Sequence, residues 1–119
     1  LRGNERLVLA GNEPILGEWN LDNALPMTEI APNEWIADID AEKIKGDTFE
    51  YKFVAMPEES DDTVMQYHRH HAPLWETCCN RVMEVPVLRR GEIMEMEHSQ
   101  AFFEIANPRL ACILTAFRR

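Results

Sequence analysis

The sequence predicts an all-β protein, an antiparallel β-sandwich, on three observations. Period-two alternation of apolar and polar residues recurs along the chain, while helical periodicity is scarce. The alternating runs are short, as sandwich strands are. Pro14, Pro26, Pro32, Pro57 and Pro73 fall between the runs, where a residue without a backbone N–H does no harm to a ladder.

Taken in order, Arg6-Leu7-Val8-Leu9-Ala10 reads as a strand that ends at Gly11. Trp35 to Ile39 sets Trp35, Ala37 and Ile39 on one side against Ile36 and Asp38 on the other. Phe49 to Met56 is the clearest strand, with Phe49, Tyr51 and Phe53 on one face and Glu50 and Lys52 opposite. Arg81 to Val87 and Glu92 to Glu97 follow, separated by a turn around Arg89-Arg90-Gly91. Two regions fit less well. Residues 57–73 form a long polar connection carrying Asp61, Asp62 and His68-Arg69-His70-His71, and connections of that length are usually functional or mobile. Residues 99–119 have Pro108 in their middle and no clean strand or helix pattern, so they read as a linker or the start of a following unit. The sandwich is expected over residues 1–98.

A chain of 119 residues is one domain with a single core. The net charge of −9 argues against a nucleic-acid partner, which needs a basic stripe to neutralise phosphates. The same charge disfavours an anionic membrane surface, and no apolar run approaches the roughly 20 residues of a spanning helix. Neutral ligands remain compatible. No signal peptide is visible ahead of the first strand. The cysteines are Cys78, Cys79 and Cys112, an odd count with one adjacent pair. Neighbours rarely bridge without strain, so a reduced, cytoplasmic setting is expected. Cys78-Cys79 lacks the residue gap of a zinc site, and the histidine patch with Asp61 or Asp62 reads more simply as a solvated loop than as a Zn²⁺ or Ni²⁺ site. Neither a metal nor a cofactor is expected.

Trp19, Trp35 and Trp75 each sit next to a turn residue or a polar pair rather than inside an apolar run. A flat ring near the surface can stack on the C–H face of a pyranose, whose hydroxyls then need polar partners at the rim. Taken singly, each ring is better explained by core packing than as a sugar platform. Trp35 opens a strand in phase with Ala37 and Ile39, which marks it as core. Lys52, an outward lysine on a strand of aromatics, would ordinarily be a solvated charge.

These residues form an ordered series: Leu16-Gly17-x-Trp19, Ala24-x-Pro26, Trp35, Glu50-Tyr51-Lys52-Phe53, Trp75-Glu76 and Asn80-Arg81. The series resembles the starch-binding domain of carbohydrate-binding module family 20, over roughly Leu7 to Glu97. The resemblance implies an immunoglobulin-like antiparallel sandwich that binds α-1,4-glucan (starch, glycogen or maltooligosaccharide) without catalysis. It implies a carbohydrate-binding site in which glucose units stack on Trp19 and Trp75, with polar contacts from Lys52, Glu76 and Asn80, and it leaves Arg81 to structure. Members often have a second site built on tyrosines; the corresponding stretches, Leu1 to Arg6 and Thr28 to Glu34, contain none, so one site is expected.

Gly11 to Asn20 is most similar to the subset of these modules that precede the catalytic domain of 4-α-glucanotransferases, the amylomaltases of the disproportionating-enzyme-2 kind. The family's first strand would lie ahead of Leu1. The chain therefore reads as a fragment whose residues 99–119 lead into an adjoining catalytic domain, and an unpaired edge would open a route to a homodimer. Catalysis by these residues themselves is not expected: no second acid stands at a defined position from Glu76, and no nucleophile elbow, phosphate loop or paired-histidine motif is present. The alternative is a protein-interaction or regulatory sandwich of glycogen metabolism without strong glucan binding.

Overall fold

The computed structural model describes residues 5–57, 73–101, 103 and 110–119, so the expectations for His68, His70, His71, Asp61 and Asp62 lie outside the described residues. Among the described residues the chain forms two β-sheets and three short 3-10 turns. The first sheet contains β1 (Glu5–Gly11), β2 (Leu25–Pro26), β5 (Thr48–Pro57), β6 (Leu74–Trp75) and β7 (Arg81–Glu84). Its order is β2-β1-β5-β6, and β7 pairs with the other end of β5. The second sheet contains β3 (Thr28–Ala31), β4 (Glu34–Asp40), β8 (Ile93–Gln100) and β9 (Ala111–Phe117), in the order β3-β4-β9-β8. The all-β sandwich expected from the alternation is the observed architecture.

The core lies between the sheets and follows the alternation strictly. Leu7 and Leu9 of β1 and Phe49, Tyr51, Phe53 and Ala55 of β5 meet Trp35, Ala37 and Ile39 of β4 and Cys112 and Leu114 of β9. Trp35 is buried, as its phase with Ala37 and Ile39 requires. Its indole Nε1 is buried and has no hydrogen-bond partner among the described residues.

The C-terminal stretch needs correction. Residues 99–119 were expected to lie outside the sandwich, yet Ala111–Phe117 is an inner strand of the second sheet, pairing along β4 on one side and β8 on the other. The β4–β9 pairing is parallel, the one departure from an antiparallel arrangement among the described ladders. The physical reason is that β9 shows little polar alternation. Its outward residues, Ala111, Ile113, Thr115 and Phe117, are half-buried and nearly as apolar as the inward Cys112, Leu114 and Ala116, so the two faces show no contrast. Strand β8 likewise runs on to Gln100, and β7 stops short of the expected Val87. There the N–H of Val85 turns to the carbonyl of Asp47 at 2.9 Å, and Pro86 has no N–H with which to extend a ladder. The end of β9 is tied down by Arg118, whose Nη1 donates to the carbonyl of Leu88 at 3.0 Å and whose Nε meets Glu42 Oε1 at 2.9 Å.

Leu114 is fully buried, so Leu114→Ala should lower unfolding stability by about 2–5 kcal/mol, read from urea denaturation. A chain shortened to end at Gln100 should show no cooperative transition; one that unfolds with an unchanged midpoint would make β9 dispensable.

Candidate functional site

The pleat that sends Phe49, Tyr51 and Phe53 inward sends Glu50, Lys52, Val54 and Met56 to the outer face of the first sheet. Strand β1 adds Val8 and Ala10, which lie opposite Val54 and Lys52. Trp75 lies opposite Val54 on the other side of β5, so it stands on the same outer face. A second apolar cluster forms here, built on Val8, Ala10, Ala24 and Val54, with Trp19, Leu21, Met56 and Trp75 packed against it.

Trp19 reaches this face through a strained loop. Gly17, Glu18 and Trp19 have φ of 85°, 51° and 68°, three left-handed residues in succession. A side chain at Gly17 would also bring its Cβ within 2.7 Å of the Asn23 carbonyl carbon. Left-handed conformations at Glu18 and Trp19 cost of order 1–3 kcal/mol each and persist only where the surroundings hold them. The surroundings do. The N–H of Glu18 donates to the carbonyl of Glu13 (3.2 Å), that of Asn20 to Gly17 (2.9 Å), and the Asn20 side chain accepts from the N–H of Asp22 (3.0 Å). Glu13 is itself buried and accepts from the N–H of Lys45 at 2.7 Å, tying the loop to the body of the domain.

The outcome is a pair of half-buried rings, Trp19 and Trp75, with centroids 6.3 Å apart and planes inclined at 42°. Lys52 is half-buried, and its Nζ donates to the backbone carbonyl of Glu76 at 3.3 Å. Asn80 is exposed; its Nδ2 stands 3.4 Å from Glu50 Oε1, and the N–H of Glu50 donates to Asn12 Oδ1 at 2.9 Å. The polar rim thus continues from Lys52 to Glu50 and Asn12. Neither of the last two was singled out from sequence, although Glu50 shares the face of Lys52 by simple alternation.

Glu76 does not belong to that rim. Its side chain is 0% exposed, and both carboxylate oxygens are engaged within the protein. Oε1 accepts from the N–H of Phe53 (2.9 Å) and from Arg81 Nε (3.0 Å), while Oε2 accepts from Arg81 Nη2 (2.8 Å). The cause lies in β5, whose pairing with β7 covers residues 48–51 and with β6 covers 54 and 55. Phe53 falls in the gap, and Glu76 fills it from both sides, since its own N–H also donates to the carbonyl of Phe53 at 3.3 Å. The carboxylate is therefore buried rather than presented beside the two rings, and Glu76 reaches that face through its backbone carbonyl, at Lys52 Nζ.

Arg81, expected to be structural, links the sheets. Its Nη1 donates to Ser99 Oγ (3.3 Å), its Nη2 to the carbonyl of Gln100 (2.7 Å), and its guanidinium lies 5.0 Å from the Phe53 ring centroid. Burial pushes the Tyr51 hydroxyl up to about 12 despite the Arg81 cation near it. Burial likewise pushes the Cys112 thiol up to about 12. Among the described residues no group of three or more His, Cys, Asp or Glu is placed to hold a metal ion.

Residues 2–93 match the starch binding domain family. The chain belongs to that family. A starch-binding domain is a non-catalytic module that binds α-glucan such as starch, and that much of the functional expectation holds for this chain. No curated protein and no solved structure matches the chain. The family match ends at the start of β8, so the domain draws its inner strand β9 from beyond it.

Glu76→Ala strips the carboxylate from Arg81 and Phe53 and should cost about 3–5 kcal/mol in urea unfolding, as loss of a buried partner does. Tyr51 sets an alkaline limit. Its folded value of about 12 exceeds the ordinary 10, so its contribution is whole below pH 10 and is lost as pH rises through 12. The unfolding free energy should fall over that window, and Tyr51→Phe should flatten the fall.

Proposed function

We propose that this starch-binding domain grips a bent α-1,4-glucan on the outer face of its first sheet, with neighbouring glucose units stacked on Trp19 and Trp75. The observation that supports this reading is the tilted pair itself, 6.3 Å between centroids at 42°. Two rings inclined to one another follow the curvature of an α-linked chain, which a flat aromatic strip would not. Each ring has its inner side against the Val8–Ala10–Val54 patch and keeps part of its surface in solvent. Lys52, donor only, and Asn80, donor and acceptor, stand where hydroxyls beside the stacked faces would need partners. Glu76 acts from behind, by fixing the backbone that carries Trp75 and receives Lys52.

Base–aromatic stacking in nucleic-acid binders is worth about 1–3 kcal/mol per ring, and a sugar face gives no more. Two rings and a few hydrogen bonds then yield an affinity in the micromolar to millimolar range. Weak, reversible binding suits a tether rather than a catalyst. The resemblance of Gly11 to Asn20 to modules of 4-α-glucanotransferases supports a parent enzyme of that kind, held on its polymer by this domain. The adjacent unbridged thiols Cys78 and Cys79 support a reduced, cytoplasmic setting.

Affinity electrophoresis through soluble starch tests the reading. The chain should be retarded, and Trp75→Ala and Trp19→Ala should each weaken retention about tenfold or more while the urea midpoint shows a folded protein. Lys52→Met should weaken it less. Normal migration of the unsubstituted chain, or retention unchanged in both tryptophan variants, would remove the proposed site.

A further inference from the structure

The turn between Trp75 and Asn80 carries two adjacent thiols that glucan binding does not use. It leaves the sheet at Glu76 and returns at Arg81, and the Glu76–Arg81 fork, at 2.8 and 3.0 Å, closes its base. The chain between those two residues is Thr77-Cys78-Cys79-Asn80. Cys79 is exposed, Cys78 is half-buried, and neither is bridged. Cys78 lies against the Glu76 carboxylate, with Lys52 and Arg81 also close enough to act on it. The thiol pair thus sits between one proposed stacking ring and one proposed hydroxyl partner.

We propose that Cys78 and Cys79 are a thiol–disulfide modification site, oxidised by a small disulfide such as glutathione disulfide, and that closing the bridge weakens glucan binding. This rests on the glucan-binding reading of the same face. The exposed Cys79 reacts first: its thiolate attacks one sulfur of glutathione disulfide, forming a mixed disulfide and releasing one glutathione thiolate. Cys78 then gives up its proton to solvent and attacks the Cys79 sulfur, releasing the second glutathione. Two protein thiols are oxidised to one disulfide and one glutathione disulfide is reduced to two glutathiones, so atoms and electrons balance. The order follows from exposure, because Cys79 is open to solvent while Cys78 is half-buried, where burial and the neighbouring Glu76 carboxylate push its thiol up and leave less of it as thiolate.

The bridge is reversible for a geometric reason. Adjacent Cα atoms lie about 3.8 Å apart, below the roughly 4.4 Å at which relaxed disulfides begin, so the closed ring is strained and readily reduced. The strain has few places to go. The base of the turn is held by the fork and by Glu76 on both the N–H and the carbonyl of Phe53, so the displacement falls inside the turn, on Thr77 and Asn80, while the new disulfide, three residues from Trp75, is itself a quencher of tryptophan emission.

The test uses the 119-residue chain equilibrated in glutathione buffers of graded redox ratio, with intact mass, peptide mapping, tryptophan fluorescence and β-cyclodextrin titration read on each sample. Oxidation should remove two hydrogens from the peptide holding Cys78 and Cys79, leave Cys112 alkylatable after unfolding, shift the tryptophan emission and weaken β-cyclodextrin binding about fivefold, the scale of one or two lost hydrogen bonds. Dithiothreitol should reverse all of it, and Cys79→Ser should bind like the reduced chain at every ratio. A mixed disulfide that never closes overturns the proposal, as does a bridge that leaves both emission and affinity unchanged. Absence of β-cyclodextrin binding by the reduced chain would instead count against the glucan reading, with mass and emission still deciding whether the bridge forms and moves the turn.

Discussion

The carboxylate of Glu76 is the constraint on which the domain depends. Strand β5 is the longest in the sandwich and borders a broken edge, with β6 at one end and β7 at the other. A gap in a ladder beside a core leaves a backbone N–H with neither water nor a strand partner, which is costly. Glu76 satisfies that group and turns the resulting buried charge toward Arg81, which spans to Ser99 and Gln100 of the opposite sheet. A local defect in pairing thus becomes the joint between the layers. The same residue fixes where β6 ends, and so where Trp75 stands on the outer face.

The two faces of the first sheet divide the work. The inner face carries the stability, with large aromatics packed against Trp35, Ile39 and Leu114. The outer face can therefore hold features that lower stability: a run of left-handed residues ending at Trp19, and two tryptophans that keep part of their surface in solvent. Strain of this kind survives because Glu13, Asn20 and Gly17 hold the loop from several directions, and it sets the ring before any ligand arrives. If Trp19 stacks on glucose as proposed, a preset ring loses little freedom on binding.

Much of this was legible in the sequence, for reasons that can be named. Strand β4 and the first half of β5 were readable because their two faces differ in polarity, β1 because a short apolar run ends at Gly11, and Trp35 was readable as core from its phase with Ala37 and Ile39. Strand β9 was hidden because Ile113 and Phe117 on its outer side offset Cys112 and Ala116 on its inner side, so alternation carried no contrast. Glu76 was set at the rim by the family resemblance alone, and its burial was not legible because the gap it fills exists only once β6 and β7 have found β5. Arg81, five residues on, was the available signal, since a fixed carboxylate–guanidinium pair across a short turn is a structural device. The left-handed run at Gly17-Glu18-Trp19 announced itself only through its glycine.

The position of β9 bears on how the domain would behave under load. A strand hydrogen-bonded along both edges, and lying parallel to β4, resists a pull along its own axis by shearing two ladders together. It cannot peel away one bond at a time, as an edge strand can. Tension arriving from the chain beyond Phe117 therefore enters the middle of the second sheet and crosses to the first through Arg81 and the shared core. If the domain tethers an enzyme to its polymer as proposed, it would do so as a stiff anchor, and drag on a held glucan would strip the surface contacts before it disturbed the sandwich.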